Sequence, residues 1–259
     1  MSRPVRLGLF LVAGSGLAAM LVIGFTGLPD FGSAHELVGS VVNLTEPTLR
    51  HATDVVTALN FDIRAFDTLG EEFILFASVA GVALLLRHMR DEPEQEGTTP
   101  GIEDHRFAGA SDGLKLTSLV LIPLLLAFGA YLVFHGQLTP GGGFQGGVVL
   151  AAGPIAILLA GRYLSMKRVA PKRVLEGADS LGAAAYALIG LGGLIFAGVY
   201  LKDPLPLGAS GHLLSSGMMP LNSIAVGLEV TGAFLLTWTE FLDQSMIGPP
   251  SSSGGTEGP

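Results

Sequence analysis

The sequence contains no cysteine, and only 14% of its 259 residues are charged. Without cysteine, the chain cannot form disulfides and cannot hold a Cys-ligated zinc ion or iron–sulfur cluster. A soluble domain carries about 25% charged residues, so the charges of this chain must be confined to particular places. The formal net charge of −8 provides no overall basic character, and we expect no nucleic-acid partner.

Long apolar stretches alternate with short charged ones along the chain. A spanning helix needs about 20 mainly apolar residues. The segments that meet this requirement are roughly Leu7–Leu28, Thr68–Leu86, Leu114–Phe134, Phe144–Leu164, Leu181–Leu201 and Pro220–Leu242. The sequence therefore predicts an all-α membrane protein with six transmembrane helices embedded in the lipid bilayer.

The lysines and arginines predict the orientation of these helices. If the N-terminus is inside, 11 of the 14 basic residues fall on the cytoplasmic side. Cytoplasmic loops of membrane proteins carry an excess of Lys and Arg. We therefore predict a multi-pass protein of the cell inner (plasma) membrane with both termini in the cytoplasm.

The helices are predicted to form two groups, a pair followed by a group of four. Residues 1–90 form the two-helix unit, and residues 114–245 form the four-helix domain. Residues 91–113 are acidic and interrupted by proline and glycine, which is the composition of a linker. The low-complexity tail, residues 246–259, is predicted to be disordered.

A short helix is also predicted on the outer side, within "PTLRHATDVVTALN". Leu49, Ala52, Val56 and Leu59 recur there at helical spacing, and Pro47 suits a first helical position. The stretch is too short and too polar to span the membrane. An interfacial helix or a helix covered by its own neighbours fits it best.

Acidic residues crowd the outer entry of the second transmembrane helix, in "NFDIRAFDTLGEEFILF". Asp62 precedes the helix, and Asp67 and Glu71 share one helix face because they are four residues apart. An acid in the first helical turn, such as Asp67, is also favoured by the helix dipole alone. Glu71 lies further in, where a carboxylate is costly unless it is paired (Arg64 is one candidate), protonated or hydrated. We expect an ion or proton role for Glu71, with Glu72 the weaker candidate.

Glu229 is the second candidate for an intramembrane acid. It lies roughly 14 Å beyond Pro220 along the last helix, at 1.5 Å per residue, which is close to the bilayer centre. Such an acid indicates a functional site by default, although a hydrogen bond to a partner chain is an alternative. The histidines show no metal-site spacing, so no metal site is predicted. Only His135 lies near a plausible ion path.

The stretch "GQLTPGGGFQGGVVLAAG" concentrates glycine where the fourth transmembrane helix begins. It lacks the spacing and the lysine of a phosphate-binding loop. Glycine permits irregular backbone and close helix packing in membranes. We therefore predict an irregular outer turn that leads into a tightly packed helix, with lining of a hydrated path as a lesser role. The residues assigned to this feature are Pro140, Gly141, Gly142, Gly143, Phe144, Gly146 and Gly147.

Two stretches resemble one family of membrane complexes. "HGQLTPGGGFQGGVVLAAG" resembles the signature of the MnhB-type domain, found in the B-type component of Mrp multisubunit Na⁺/H⁺ antiporters and in one component of related membrane-bound hydrogenases. "GLPDFG" and "DVVTALNFDIRAFDTLGEEFILFASVAGVALL" resemble the preceding unit, which is the C-terminal extension of the large A-type Mrp component or the E-type hydrogenase component. The two units are fused here. The chain departs from the family at Gln137, which is often histidine, and at Glu229, where lysine is common.

The resemblance implies a small membrane subunit of a multisubunit Na⁺ (cation)/H⁺ antiporter of the Mrp type, so the chain would be part of a transporter and not an enzyme. It would contribute to the ion path and to complex assembly, beside other Mrp-type or hydrogenase-type membrane subunits. Asp62, Asp67 and Glu71 match the motif of the A-type extension and are candidates for sodium coordination or proton access. Na⁺ or H⁺ would be transported, with no cofactor. The alternatives are a subunit of a redox-driven, hydrogenase-like complex and a purely structural scaffold.

Overall fold

The protein is helical throughout residues 3–28, 37–87 and 110–246, the parts that the computed structural model describes, and no strand occurs in those ranges. The elements are α1 (Arg3–Thr26), α2 (Leu37–Leu49), α3 (Val55–Ala58), a π-helical turn (Leu59–Ile63), α4 (Ala65–Arg87), α5 (Asp112–Phe134), α6 (Gly143–Leu159), α7 (Tyr163–Val169), α8 (Lys172–Ala197) and α9 (Met219–Met246). The chain divides into two compact units, Met1–Val41 and Val42–Pro259.

Five of the described helices are long and apolar enough to cross a membrane: Leu7–Thr26, Ala65–Leu86, Asp112–Phe134, Lys172–Ala197 and Met219–Leu242. A shorter apolar helix, Gly143–Leu159, has 17 residues. The prediction of an all-α membrane protein is therefore confirmed. Most of the predicted linker, the predicted tail from residue 247 onward and much of "GLPDFG" lie outside the described residues.

The bounds of two predicted transmembrane helices were wrong. The helix predicted from Phe144 ends at Leu159, because Gly161 takes a left-handed conformation (φ 79°) and the separate helix α7 follows. The helix predicted to begin at Leu181 begins at Lys172 and ends at Ala197, before the left-handed Gly198. Its polar first turns were mistaken for a loop because one of their acids, Asp179, is buried by packing.

The single short outer helix was also wrongly placed. Pro47 lies inside the end of α2 and does not begin a helix. The chain then breaks at His51, whose φ is 56°. Helix α3 starts after Asp54, whose carboxylate accepts hydrogen bonds from the amide and the hydroxyl of Thr57. The side-chain cap at Asp54 explains why the helical stretch restarts there.

Helix α9 lies at the centre of the second unit. It contacts α4, α5, α6 and α8, and 67% of its apolar span is buried inside the protein, against 11% for α4. Between these helices, glycine replaces the side chains that would separate the backbones. A Cβ atom added to Gly182 on α8 would lie 2.5 Å from the Cβ of Glu229 on α9.

The glycine-rich stretch positions α6 between α5 and α9. Gly142 adopts φ 117°, and its amide donates to the carbonyl of Leu132 on α5 over 3.1 Å. A Cβ added to Gly143 would lie 2.5 Å from the carbonyl oxygen of Ser223. One turn further on, a Cβ on Gly147 would lie 2.7 Å from the Cβ of Val230. The irregular turn and the glycines together let α6 approach α9 along its first turns.

We expect a Gly147→Ala variant to be less stable, because the added methyl group must displace Val230 or the backbone of α9. Overpacking of this kind costs about 1–3 kcal/mol. Gly192→Ala is the matched control, since Gly192 lies in α8 and its added Cβ meets nothing within 4 Å. Thermal unfolding of the protein purified with its partners in detergent should show a lower midpoint for Gly147→Ala only. Equal midpoints would contradict the packing account.

Candidate functional site

Two glutamates from different helices meet inside the helical bundle. Glu72 on α4 and Glu229 on α9 are both 0% exposed, and their carboxyl groups lie within hydrogen-bonding range of each other. No N–H or O–H donor from the described residues reaches any of their four oxygens. A hydrogen bond between two carboxyl groups requires a proton on one of them. We call Glu72 and Glu229 the carboxyl pair.

The helix faces explain why Glu72, and not Glu71, reaches the interior. Ala65, Thr68, Glu72 and Val79 are all buried and recur at helical spacing along one face of α4. That face packs against α8 and α9. Glu71 lies off this face and is exposed.

A third carboxyl group lies beside the pair. Asp179 on α8 is 3% exposed, and its Oδ1 has no hydrogen-bond partner among the described residues. It is close enough to act electrostatically on both Glu72 and Glu229. A Cβ added to Gly232 of α9 would lie 2.7 Å from the amide nitrogen of Asp179, so a glycine brings α9 to this point as well.

The aromatic ring of Tyr186 covers the carboxyl pair on the side towards the N-terminal end of α4. Its hydroxyl donates to the carbonyl of Ala65 over 3.0 Å, and Phe61 of the π-helical turn packs against its ring at a centroid distance of 6.1 Å. The hydroxyl of Thr68 donates to the carbonyl of Asn60 over 2.7 Å. These contacts hold the π-helical turn on the start of α4. Short π-helical segments frequently mark functional sites.

A second acidic group lies at the loop end, which we define as the end of the bundle that carries residues 50–63, 135–142 and 198–218. Arg50 and Asp62 form an ion pair of 2.7 Å. Burial raises the pKa of Asp62, and the Arg50 guanidinium opposes this shift. Burial and the nearby Asp62 raise the pKa of Glu46, again opposed by Arg50. This group is thus partly neutralised by its own arginine.

Hydrogen bonds join the three segments of the loop end. The Nδ1 atom of His51 lies 2.6 Å from the carbonyl oxygen of Gly208, and the Ser216 hydroxyl donates to the carbonyl of His51 over 2.9 Å. The Gln137 side chain donates to the carbonyl of Leu213 over 2.7 Å, while its backbone carbonyl accepts from the amides of two residues that precede α3. His51 and Ser216 both have positive φ, a costly conformation for non-glycine residues. The loop end is therefore a fixed structure that covers the bundle.

The structure distributes the predicted site residues over separate places. Asp62 pairs with Arg50, and Asp67 pairs with Arg64 at the exposed surface. His135 stacks on Tyr131 at the end of α5, at a ring-centroid distance of 4.3 Å. Only Glu229 belongs to the buried group, and it meets Glu72 and Asp179.

Sequence reasoning ranked Glu72 low and did not identify Asp179. The buried face of α4 could have indicated Glu72, because its spacing from Ala65 and Thr68 selects it over Glu71. Asp179 continues the buried small-residue stripe of α8, in which Gly182, Ala183 and Tyr186 follow it. The described residues contain no group of three His, Asp or Glu side chains that could hold a metal ion.

Comparisons of the sequence identify relatives of this chain. Residues 114–236 match the family model of a domain related to the MnhB subunit of a Na⁺/H⁺ antiporter. An uncharacterized protein of Methanocaldococcus jannaschii is 31% identical over 230 residues, which cover 80% of this chain and 86% of that protein. A probable K⁺/H⁺ antiporter protein of Rhizobium meliloti, which combines the A and B components, is 27% identical over 219 residues, which cover 76% of this chain but only 21% of that longer protein.

Solved structures show the same fold. A chain of the membrane-bound sulfane sulfur reductase, an archaeal respiratory membrane complex, matches with a TM-score of 0.67 and 28% identity, covering 92% of this chain and 98% of that one. A chain of the Mrp complex from Dietzia sp. matches with a TM-score of 0.67 and 23% identity, covering 96% of this chain and 27% of that one. The resemblance seen in the sequence is confirmed, and the protein belongs to the family of membrane proteins that carry the MnhB-related domain.

Proposed function

We propose that this chain is a small membrane subunit of a multisubunit cation/proton antiporter of the Mrp type, which contributes to the ion path and to assembly. The observation that carries the proposal is the carboxyl pair, Glu72 and Glu229, buried between helices of an MnhB-related protein. Buried ionisable groups within membrane helices mark ion and proton pathways. The chain is part of a transporter and not an enzyme, and Na⁺ or another cation and H⁺ are its transported ions, with no cofactor.

The likeness to the Rhizobium meliloti protein, which combines the A and B components, supports the proposal that two family units are fused in this chain. Residues 1–90 would correspond to the end of the A-type component, and residues 114–245 to the B-type component, joined by the linker at residues 91–113. The structure packs α4 of the first unit directly against α8 and α9 of the second. The carboxyl pair takes one residue from each, so fusion keeps both halves of the site in one chain.

A second candidate function is a subunit of a redox-driven membrane complex. The chain of the membrane-bound sulfane sulfur reductase matches this one over 98% of its own length, whereas the Mrp match covers 27% of a longer chain. In that case, electron transfer in other subunits would drive the same cation module. The carboxyl pair would serve either complex, so the partner subunits distinguish the two.

Purification of the tagged chain from its native membrane in mild detergent tests this proposal. We expect large antiporter-like subunits to accompany the chain, together with other small Mrp-type subunits and without redox proteins. Subunits with iron–sulfur or nickel sites in the same particle would instead establish the redox-driven complex. A stable chain that purifies with no partner would contradict both.

The proposed orientation places both termini in the cytoplasm of a plasma-membrane protein, with the loop end outside. Because the chain has no cysteine, one introduced cysteine gives an unambiguous label. Ser210 is exposed at the loop end, and Arg168 is exposed on α7 at the opposite end. We expect a membrane-impermeant maleimide to label Ser210→Cys in intact cells and Arg168→Cys only after permeabilisation. The reverse pattern would contradict the orientation, and labelling after denaturation confirms that both cysteines can react.

A further inference from the structure

Three carboxyl groups from three helices meet where α4, α8 and α9 cross. We infer that Glu72, Glu229 and Asp179 form a proton relay, in which the carboxyl pair always keeps one proton and a second proton moves between the pair and Asp179. The relay deepens the proposed function, and it rests on that function only for its place in a transport complex. Its own basis is the burial, the contacts and the charges of the three side chains.

Burial requires that the group carries protons. Glu72 and Glu229 are 0% exposed and Asp179 is 3% exposed. Transfer of an uncompensated carboxylate out of water is so costly that such a group takes up a proton instead. Within the described ranges, no lysine or arginine forms an ion pair with any of the three. Protons are therefore the available source of compensating charge within the chain.

The other titratable groups near the site do not change this conclusion. Glu71 on α4 and Tyr186 on α8 are close enough to interact with Glu72, and neither carries positive charge. Helix α6, which also packs against α9, contains no titratable side chain. The charge of the group is therefore set by the three carboxyl groups themselves.

A proton fits the carboxyl pair better than a metal ion does. One proton between two oxygens forms a short, charge-assisted O–H···O⁻ hydrogen bond and needs no further ligand. Hard metal ions such as Ca²⁺ require about six to eight oxygen ligands. No group of three acidic or histidine side chains in the described part of the chain is arranged to hold a metal ion. The geometry of the pair thus selects H⁺ over a larger cation.

Asp179 is placed to exchange a proton with the pair. Gly182 lies against Glu229, and Asp179 precedes Gly182 by three residues, or about 4.5 Å along α8. Gly232, which lies beside Asp179, follows Glu229 by the same spacing on α9. Asp179 therefore lies about one helical turn from the pair, on the side away from the loop end. One bridging water, or a change of side-chain rotamer, is enough to connect groups at such a spacing.

The transfer conserves charge. The three carboxyl groups hold two protons and one negative charge in both states. When the pair holds both protons, Asp179 is the carboxylate. As the O–H bond of one glutamate breaks, an O–H bond forms on Asp179, and the negative charge moves to the pair, where the remaining proton is shared. The pair never holds two negative charges, which is the state that close, buried carboxylates most strongly avoid.

Infrared difference spectroscopy of the purified complex at neutral pH tests the relay. The C=O stretch of a protonated carboxyl group is separate from the carboxylate bands and shifts in D₂O. We expect the wild type to hold two such protons at this site. Glu72→Gln, Glu229→Gln or Asp179→Asn should each remove about half of the band that belongs to the site, because two carboxyl groups then share one proton.

Glu176→Gln is the matched control, because Glu176 lies on α8 one turn before Asp179 and is exposed. It should leave the band unchanged. If none of the three variants changes the band, the relay is wrong. A wild-type band that disappears when Na⁺ is added would show that the pair binds a metal cation and would also overturn the relay. This wild-type titration decides the question even where a variant fails to assemble.

The outcome is independent of the test of the proposed function, since the spectrum needs no transport. Antiporter-like partners without the band would refute the relay alone. The band in a particle that lacks antiporter-like subunits would refute the proposed function alone.

Discussion

The contact between Glu72 and Glu229 is the constraint on which the inner structure of this protein depends. Two carboxyl groups without a basic partner are stable among apolar helices only if they are protonated and tightly enclosed. The enclosure comes from glycine. Gly182 lets α8 reach the backbone of α9 at Glu229, and Gly143 and Gly147 let α6 reach α9 from another side. Small residues therefore provide the close packing, and the close packing keeps the acids dry.

The two ends of the bundle contrast with its middle. At the loop end, Arg50 pairs with Asp62, and hydrogen bonds from three segments form a fixed cover. At the opposite end, Lys172 at the start of α8 contacts Glu240, which is 1% exposed near the end of α9. Both ends thus contain a basic partner for an acid. The middle contains only acids, and this difference marks the carboxyl pair and the aspartate beside it as the groups whose protonation can change during function.

The surface of the membrane helices is consistent with one component of a larger assembly in a bilayer. Large apolar side chains such as Leu119, Leu188 and Phe196 are exposed on helices long enough to span a membrane. Lipid and neighbouring subunits both cover such surfaces. The similar solved chains are components of multisubunit complexes, so the site inside this chain would pass protons to groups that other subunits supply.

Much of the fold follows from hydropathy, because a helix of about 20 apolar residues is recognisable without knowing its neighbours. The ends of helices were less predictable. Lys172 begins a helix whose first turns are polar, and their place in the bundle depends on Gly232 of a distant helix. The glycine turn before α6 was predictable, since the local sequence Pro140–Gly143 leaves few alternatives.

The site was harder to predict than the fold, because it is made between helices. Glu229 was recognisable alone, as an acid far inside an apolar run. Glu72 required the correct choice of helix face, which depends on what packs against α4. Asp179 fell outside the predicted helix and could not be considered. Sequence patterns indicate a buried acid, whereas only packing shows which other acid it meets.

The most direct test of the account is a double-mutant cycle on the carboxyl pair. Cation/proton exchange by the whole complex would be measured in vesicles for the wild type, Glu72→Gln, Glu229→Gln and the double variant, at equal amounts of assembled complex. Because the two residues act as one proton site, the double variant should lose no more exchange than the more affected single variant. Losses that multiply would show two independent roles and would contradict the account, as would full exchange by the double variant.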